Sequence, residues 1–263
     1  MGDKDAYYAA LFAPAAARPH LFALAAFSAE IARIRESVSS PLPGQIRLQW
    51  WRDALAGQEH RDVGGHPVAA ALLQTIDWFS LPRPAFEAML DAREFDLFDD
   101  PMPSTGDLEG YLGETAAATI RLGSIVLAGG ADPGHAATAG HAGVARGLAE
   151  ILRDLPWTAR RGQLFLPRDI LDRYGVTRED VVSGRGGPGV RATFAELRDL
   201  ARRHLAEARL ESLPRTIRPA FLPTALVPAY LRRTEERGYD PFRTVLDVPS
   251  WKKIIAMWRA HRA

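Results

Sequence analysis

Apolar residues recur three and four positions apart along nearly the whole chain, and no run alternates apolar with polar. Through the stretch Phe27 to Glu36, FSAEIARIRE, and just beyond both its ends, the residues Leu24, Phe27, Ile31, Ile34 and Val38 trace one seam at helical spacing. A helix with one apolar stripe must bury it against another helix, so the chain is confined to all-α architectures. Proline and glycine punctuate the pattern. They delimit expected helices over 6–13, 18–38, 43–57, 66–79, 83–99, 105–129, 135–155, 190–212, 219–237 and 250–261. The breaks SSPLPG, SLPRP and DDPMPSTGD are short, which makes successive helices antiparallel neighbours. The longest irregular stretch runs from 156 to 190 and ends in SGRGGPG. No fixed-period repeat is present. The expectation is a single all-α domain over residues 1–263 with about ten helices. A boundary near 183–190 is the weaker alternative, because the helices beyond it are few and arginine-rich.

Composition removes several function classes. With 33 basic and 32 acidic residues the net charge is +1, so no global field draws the chain to nucleic acid. Lys4, Lys252 and Lys253 are its three lysines, and the arginine excess reads as the coding bias of a GC-rich bacterial genome. Cysteine is absent, which excludes disulfides, thiolate metal sites and cysteine nucleophiles. No apolar run reaches the roughly 18 residues of a membrane span. The opening MGDKDAYYAALFAP lacks a basic region before an apolar core, and Ala6 breaks the myristoylation pattern. A cytoplasmic protein is expected.

Familiar catalytic signatures are missing. GRGGPG has no Lys-Ser/Thr after it, GSIVLAGG lacks the glycine spacing of a nucleophile elbow, and the seven histidines form no i, i+4 pair for zinc. In GHAGVARG, Gly140, Gly143 and Gly147 share a helix and predict close helix packing. Trp50 and Trp51 are expected in the core or a pocket wall, and DAREFDLFDD as a solvated acidic helix end. In WKKIIAMWRAHRA, Trp251, Ile254, Ile255 and Trp258 form one stripe, with Lys252, Lys253, Arg259 and Arg262 around it. Two readings follow: a helix docked on the protein, which is preferred, or a helix over 250–261 lying on the inner face of the cytoplasmic membrane.

Three segments resemble the squalene/phytoene synthase family: YYAALFAPAAARPHLFALAAFSAEIARIRE, YLGETAAATIRLGSIVLAGGA and GLAEILRDLPWTARRGQLFLPRDILDRYGV. They occur in the family's order and span most of residues 6 to 180. The resemblance implies an isoprenoid (terpenoid) synthase-like bundle around a central cavity, in which two prenyl diphosphates condense head to head. Two aspartate-rich motifs on facing helices would hold Mg²⁺, since aspartates at i and i+4 project from one helix face. By this resemblance the first motif falls on Ala32, Arg33 and Glu36, of which Glu36 alone is a carboxylate. A guanidinium at Arg33 about 6 Å from a dication would repel it by roughly 5 kcal/mol at an effective dielectric near 20, unless the arginine turns away. In the second motif Asp154 is in place, but Thr158 stands for its partner and Pro156 is expected to end the helix before it. Gln163 and Phe165 replace an arginine and a tyrosine of the family pattern. Glu150 and Asp154 could hold one weak metal, or pair with Arg146, Arg153 or Arg160, which is preferred.

IRLQWWRDAL, ETAAATIRL and LPWTARRGQLFLPRDILDRYGV further resemble the branch of this family that contains a mitochondrial respiratory complex I assembly factor. The resulting expectation is a non-catalytic or chemically altered relative with no catalytic residue, metal or cofactor. It would bind a prenyl diphosphate or lipid, or present a surface to respiratory complex subunits. The ligand-binding candidates are Arg33, Glu36, Glu150, Arg153, Asp154, Arg160 and Arg161, their guanidiniums meeting phosphate directly. Internal ion pairs among these groups are the competing reading. The rival function is an active, Mg²⁺-dependent head-to-head prenyltransferase.

Overall fold

The computed structural model describes residues 4–57 and 65–263, and all the regular structure among them is helical. The α-helices are α1 Lys4–Ala10, α2 Arg18–Ala32, α3 Pro41–Leu55, α4 Pro67–Phe79, α5 Arg83–Glu94, α6 Thr105–Leu112, α7 Ala118–Leu127 and α8 Ala136–Thr158. They continue with α9 Arg168–Arg173, α10 Arg178–Val182, α11 Pro188–Glu207, α12 Arg218–Phe221, α13 Val227–Arg233 and α14 Ser250–Arg262. Proline occupies the first or second position of α2, α3, α4, α5 and α11, where a missing N–H costs nothing. A π-helical turn, Gly113–Ala117, joins α6 to α7, so 105–127 forms the rod that the periodicity predicts.

The boundaries differ from expectation where backbone chemistry intervenes. The helix expected over 18–38 stops at Ala32, and Ile34–Ser37 continues as a tighter 3₁₀ turn closed by the Ser37 hydroxyl on the Ile34 carbonyl at 2.8 Å. Glu36 therefore does not share an α-helical face with Ser28 and Ala32. The helix expected over 219–237 is broken into α12, a 3₁₀ stretch Leu222–Leu226, and α13, each piece beginning near Pro219, Pro223 or Pro228. The irregular stretch 156–190 carries α9 and α10, the latter opened by a Thr177–Asp180 capping box. Pro156 does not end α8. The helix continues to Thr158, with Leu155 and Pro156 both buried, and that burial offsets the lost backbone bond.

Helix α8 is the centre of the bundle, packed on α11, on the π turn, and on α7 and α13. Gly143 lies so close to Ala117 that a Cβ there would overlap its backbone, and one at Gly147 would meet the Leu112 side chain, whereas Gly140 faces open space. On one side of the bundle, α2 to α5 enclose Phe27, Trp51, Leu72, Phe86 and Met89. On the other, α8, α11, α13 and α14 enclose Leu148, Leu152, Phe194, Leu197 and Met257. The acidic end of α5 is not simply solvated: Arg52 binds Asp91 and Glu94, and Asp96 is buried.

Helix α14 is docked, but by the face opposite its apolar stripe. Lys253 and Met257 point inward, while Trp251, Ile254, Ile255 and Trp258 point to solvent. No helix among the described residues is long and apolar enough to cross a membrane.

Candidate functional site

Helices α1, α2, α7, α8 and α12 surround a narrow cleft of about 50 Å³, walled by Ala9, Leu24, Ala25, Ile120 and Ala220, with Arg146 at its edge. Ser28 faces α7 here, its hydroxyl 3.5 Å from that of Thr119. Arg33 does not. As the C-cap of α2 it turns to a separate groove of about 670 Å³, together with Ala26, Ala29, Trp50 and His66. Trp51 is buried edge-on against Phe27, and Trp50 forms the wall of that groove.

The carboxylates that sequence reasoning singled out are each held by arginine. Glu36 accepts from Arg161 at 2.8 Å, a contact that ties the turn after α2 to the end of α8 across 125 residues of sequence. Beside it, Arg35 reaches Asp99 at 3.1 Å, while Arg178 donates to the carbonyls of Asp99 and Gly162. Within α8, Arg146 donates to Glu150 at 2.7 Å. Arg153 grips Asp154 with two N–H groups, at 2.7 and 2.8 Å, in the planar fork suited to a carboxylate. Burial works to lower the Arg153 pKa, but the Asp154 carboxylate and the field of Glu150 more than offset it. Arg153 also lies 3.9 Å from the buried Asp5 and over the Tyr230 ring, so it faces the junction of α1, α8 and α13. Arg160 is exposed and lies over the Trp157 ring. Thr158 stays on the face of Asp154, its hydroxyl 3.4 Å from the Asp154 carbonyl.

A buried polar cluster escaped sequence reasoning. Arg93 donates to Asp96 at 3.0 Å and to the Tyr111 hydroxyl, which itself donates to Asp96 at 2.7 Å. Burial pushes the Asp96 carboxyl and the Tyr111 phenol up, against the pull of Arg93. Gln163 donates to the Asp96 carbonyl at 3.1 Å, and Phe165 packs on Phe95 and Tyr111. The two departures from the family pattern, Gln163 and Phe165, thus fit one another through this cluster. Arg93 also feels the charge of Glu150. The hint available in sequence was an arginine three residues before an aspartate inside DAREFDLFDD, the i, i+3 spacing of a helical ion pair.

Magnesium demands near-octahedral oxygen coordination at about 2.1 Å. The carboxylates at the motif positions direct their oxygens at guanidinium N–H groups instead. Among the described residues no three His, Asp or Glu side chains converge as a metal-holding group. As arranged, these side chains do not fit a magnesium cluster.

A model of the squalene/phytoene synthase family matches residues 1–254. The chain belongs to that family. Among its relatives, NADH dehydrogenase (ubiquinone) complex I, assembly factor 6 of Mus musculus is 30% identical, covering 95% of this chain and 79% of that protein. Phytoene synthase of Arthrospira platensis is 28% identical, covering 86% of this chain and 78% of the enzyme. Squalene synthase HpnC from Alicyclobacillus acidocaldarius superposes with a TM-score of 0.75 at 24% identity, covering 89% of each chain. A dehydrosqualene synthase solved with a ligand gives 0.74 at 19%, covering 99% of this chain and 91% of that one. At these identities the structural likeness establishes the isoprenoid synthase fold, as the sequence motifs imply, and nothing finer.

Proposed function

We propose that this squalene/phytoene synthase family member does not condense prenyl diphosphates and acts as an assembly factor for respiratory complex I. One observation carries the reading: Glu36, Glu150 and Asp154 are each paired with a guanidinium, at 2.8, 2.7 and 2.7 Å. The charge that would hold dications is spent inside the protein. Ionising a prenyl diphosphate needs concentrated positive charge on the leaving group, supplied in this family by metal ions. The relationship to assembly factor 6, over 95% of the chain, supports the assembly reading.

Two measurements test it. Purified protein incubated with farnesyl or geranylgeranyl diphosphate and Mg²⁺ or Mn²⁺ is expected to release no pyrophosphate. A C30 or C40 product would establish the rival reading, a working prenyltransferase. Mouse cells lacking assembly factor 6, given this chain with a mitochondrial leader, are expected to regain assembled complex I on native gels. Failure there, with the chain expressed and imported, counts against the assembly role.

A further inference from the structure

Helix α14 is held to the protein by polar contacts on its inner face. The Lys253 ammonium is buried 2.8 Å from Asp5 and 3.1 Å from Asp247. Tyr8 donates to the Ser250 hydroxyl at 3.0 Å, and Arg218 donates to the His261 carbonyl at 3.3 Å. These contacts fix the rotation of the helix about its axis, because turning the apolar stripe inward would pull Lys253 away from Asp5. The stripe is therefore presented outward by a rigid mount. Trp251 is 61% exposed, Ile254 43%, Ile255 40% and Trp258 48%, along one side of a 13-residue helix.

Within the helix the charge around the stripe is of one sign, the exposed Asp247 just before it being paired with Lys253. No acidic residue lies in Ser250–Arg262. Lys252, Arg259 and Arg262 are exposed, and none is ion-paired among the described residues. Lys252 lies 5.4 Å from the Trp251 ring and Arg262 4.8 Å from the Trp258 ring. A tryptophan with a cation beside it thus stands at each end, with two isoleucines between. Indole rings and cations both favour the headgroup level of a bilayer, and aliphatic side chains favour the acyl boundary just beneath.

We propose that the outward face of α14 is a docking surface for an anionic lipid bilayer, with the helix lying in the plane of the headgroups. Charge complementarity selects the anionic surface, and the Trp-Ile-Ile-Trp order sets a shallow depth. The mount gives the contact a direction. Asp5, which holds Lys253, belongs to α1, and Ala6, Ala9 and Ala10 of the same helix line the central cleft. Docking would set α1, and the cleft it lines, directly behind the membrane-bound helix. The proposal stands whether or not the chain condenses prenyl diphosphates.

The test is co-sedimentation of the full chain with phosphatidylglycerol-rich and with pure phosphatidylcholine vesicles. Expected is partitioning onto the anionic vesicles stronger by on the order of tenfold or more, weakening as salt screens the cations. Tryptophan emission should shift to the blue on binding. The double variant Trp251→Ser/Trp258→Ser should lose most of the binding, and Lys252→Glu/Arg259→Glu should lose the preference for anionic lipid. All four side chains face solvent, so circular dichroism and the thermal midpoint should stay at wild-type values. Absence of binding to either vesicle, or binding unchanged in both variants, would overturn the proposal. So would light scattering that shows a dimer lost in the tryptophan variant without vesicle binding, since the face would then belong to a second copy.

Discussion

Lys253 is the buried one of the chain's three lysines. Burial alone would lower its pKa, but bonds to Asp5 and Tyr230 outweigh that, and the ammonium titrates above the ordinary lysine range. On the other side of the contact, Tyr230 donates to Asp5 at 2.7 Å, and burial pushes its phenol up to about 12. A folded-state pKa raised above the unfolded one contributes stability that is complete below the unfolded value and disappears as pH rises through the folded value. Lys253→Met would remove that contribution and leave Asp5 buried, with Arg153 at 3.9 Å as a poorer partner. The expected cost at neutral pH is about 3 kcal/mol, the low end for breaking a buried pair, read from urea unfolding. The difference from wild type should stay constant through neutral pH and shrink above about pH 10.4, the unfolded lysine value. A deficit already shrinking between pH 6 and 8, a window set by ordinary histidine titration rather than by Lys253, would show that another group carries the effect.

Among the elements, α8 makes the sharpest demand on side-chain size. A Cβ at Gly143 would overlap the Ala117 backbone in the π turn, so Gly143→Ala must push two central helices apart. The expected loss is about 1–3 kcal/mol. Gly140→Ala, on the same helix with nothing within 4 Å, should instead stabilise by about 0.5–1 kcal/mol through helix propensity. Paired thermal melts of the two variants should move in opposite directions. Sequence made this contrast only partly legible: GHAGVARG announced close packing, but which glycine touches a neighbour depends on α6 and the π turn. The same division runs through the fold. Helix spans were readable because proline, glycine and apolar spacing act locally. The break after Ala32, the tolerance of Pro156 and the outward turn of Trp251 and Trp258 were not, since tertiary packing decides them. At the candidate site, the Glu150–Arg146 pair was foreseeable from its i, i+4 spacing within one helix, whereas Arg153 and Asp154 are adjacent and helical spacing does not pair them. The Glu36–Arg161 contact joins segments 125 residues apart, and the groove-facing position of Arg33 depends on a helix ending where periodicity would continue it.

At the scale of the whole molecule, arginine pairs hold the carboxylates at both motif positions. The Glu36–Arg161 pair is more than a third exposed at both partners, so its contribution to stability is at most about 1 kcal/mol. Arg161→Gln should therefore leave the thermal midpoint nearly unchanged. It would also free Glu36, and so it asks whether pairing alone keeps metal out. A dication bound to the native state at a hundred times its Kd would add about 2.7 kcal/mol to stability, which a melt resolves easily. For the wild type, melts in millimolar Mg²⁺ and in EDTA are expected to coincide. They should coincide for Arg161→Gln as well, because Glu150 and Asp154 remain tied to Arg146 and Arg153, and a single freed carboxylate with no substrate phosphate beside it holds magnesium only weakly. A magnesium-dependent rise in the wild type would mean that the guanidiniums yield to metal, and the non-catalytic reading would fall with it. A rise confined to Arg161→Gln would place the exclusion of metal on one half-exposed ion pair, so that a single substitution at residue 161 would separate a metal-binding member of the family from this one.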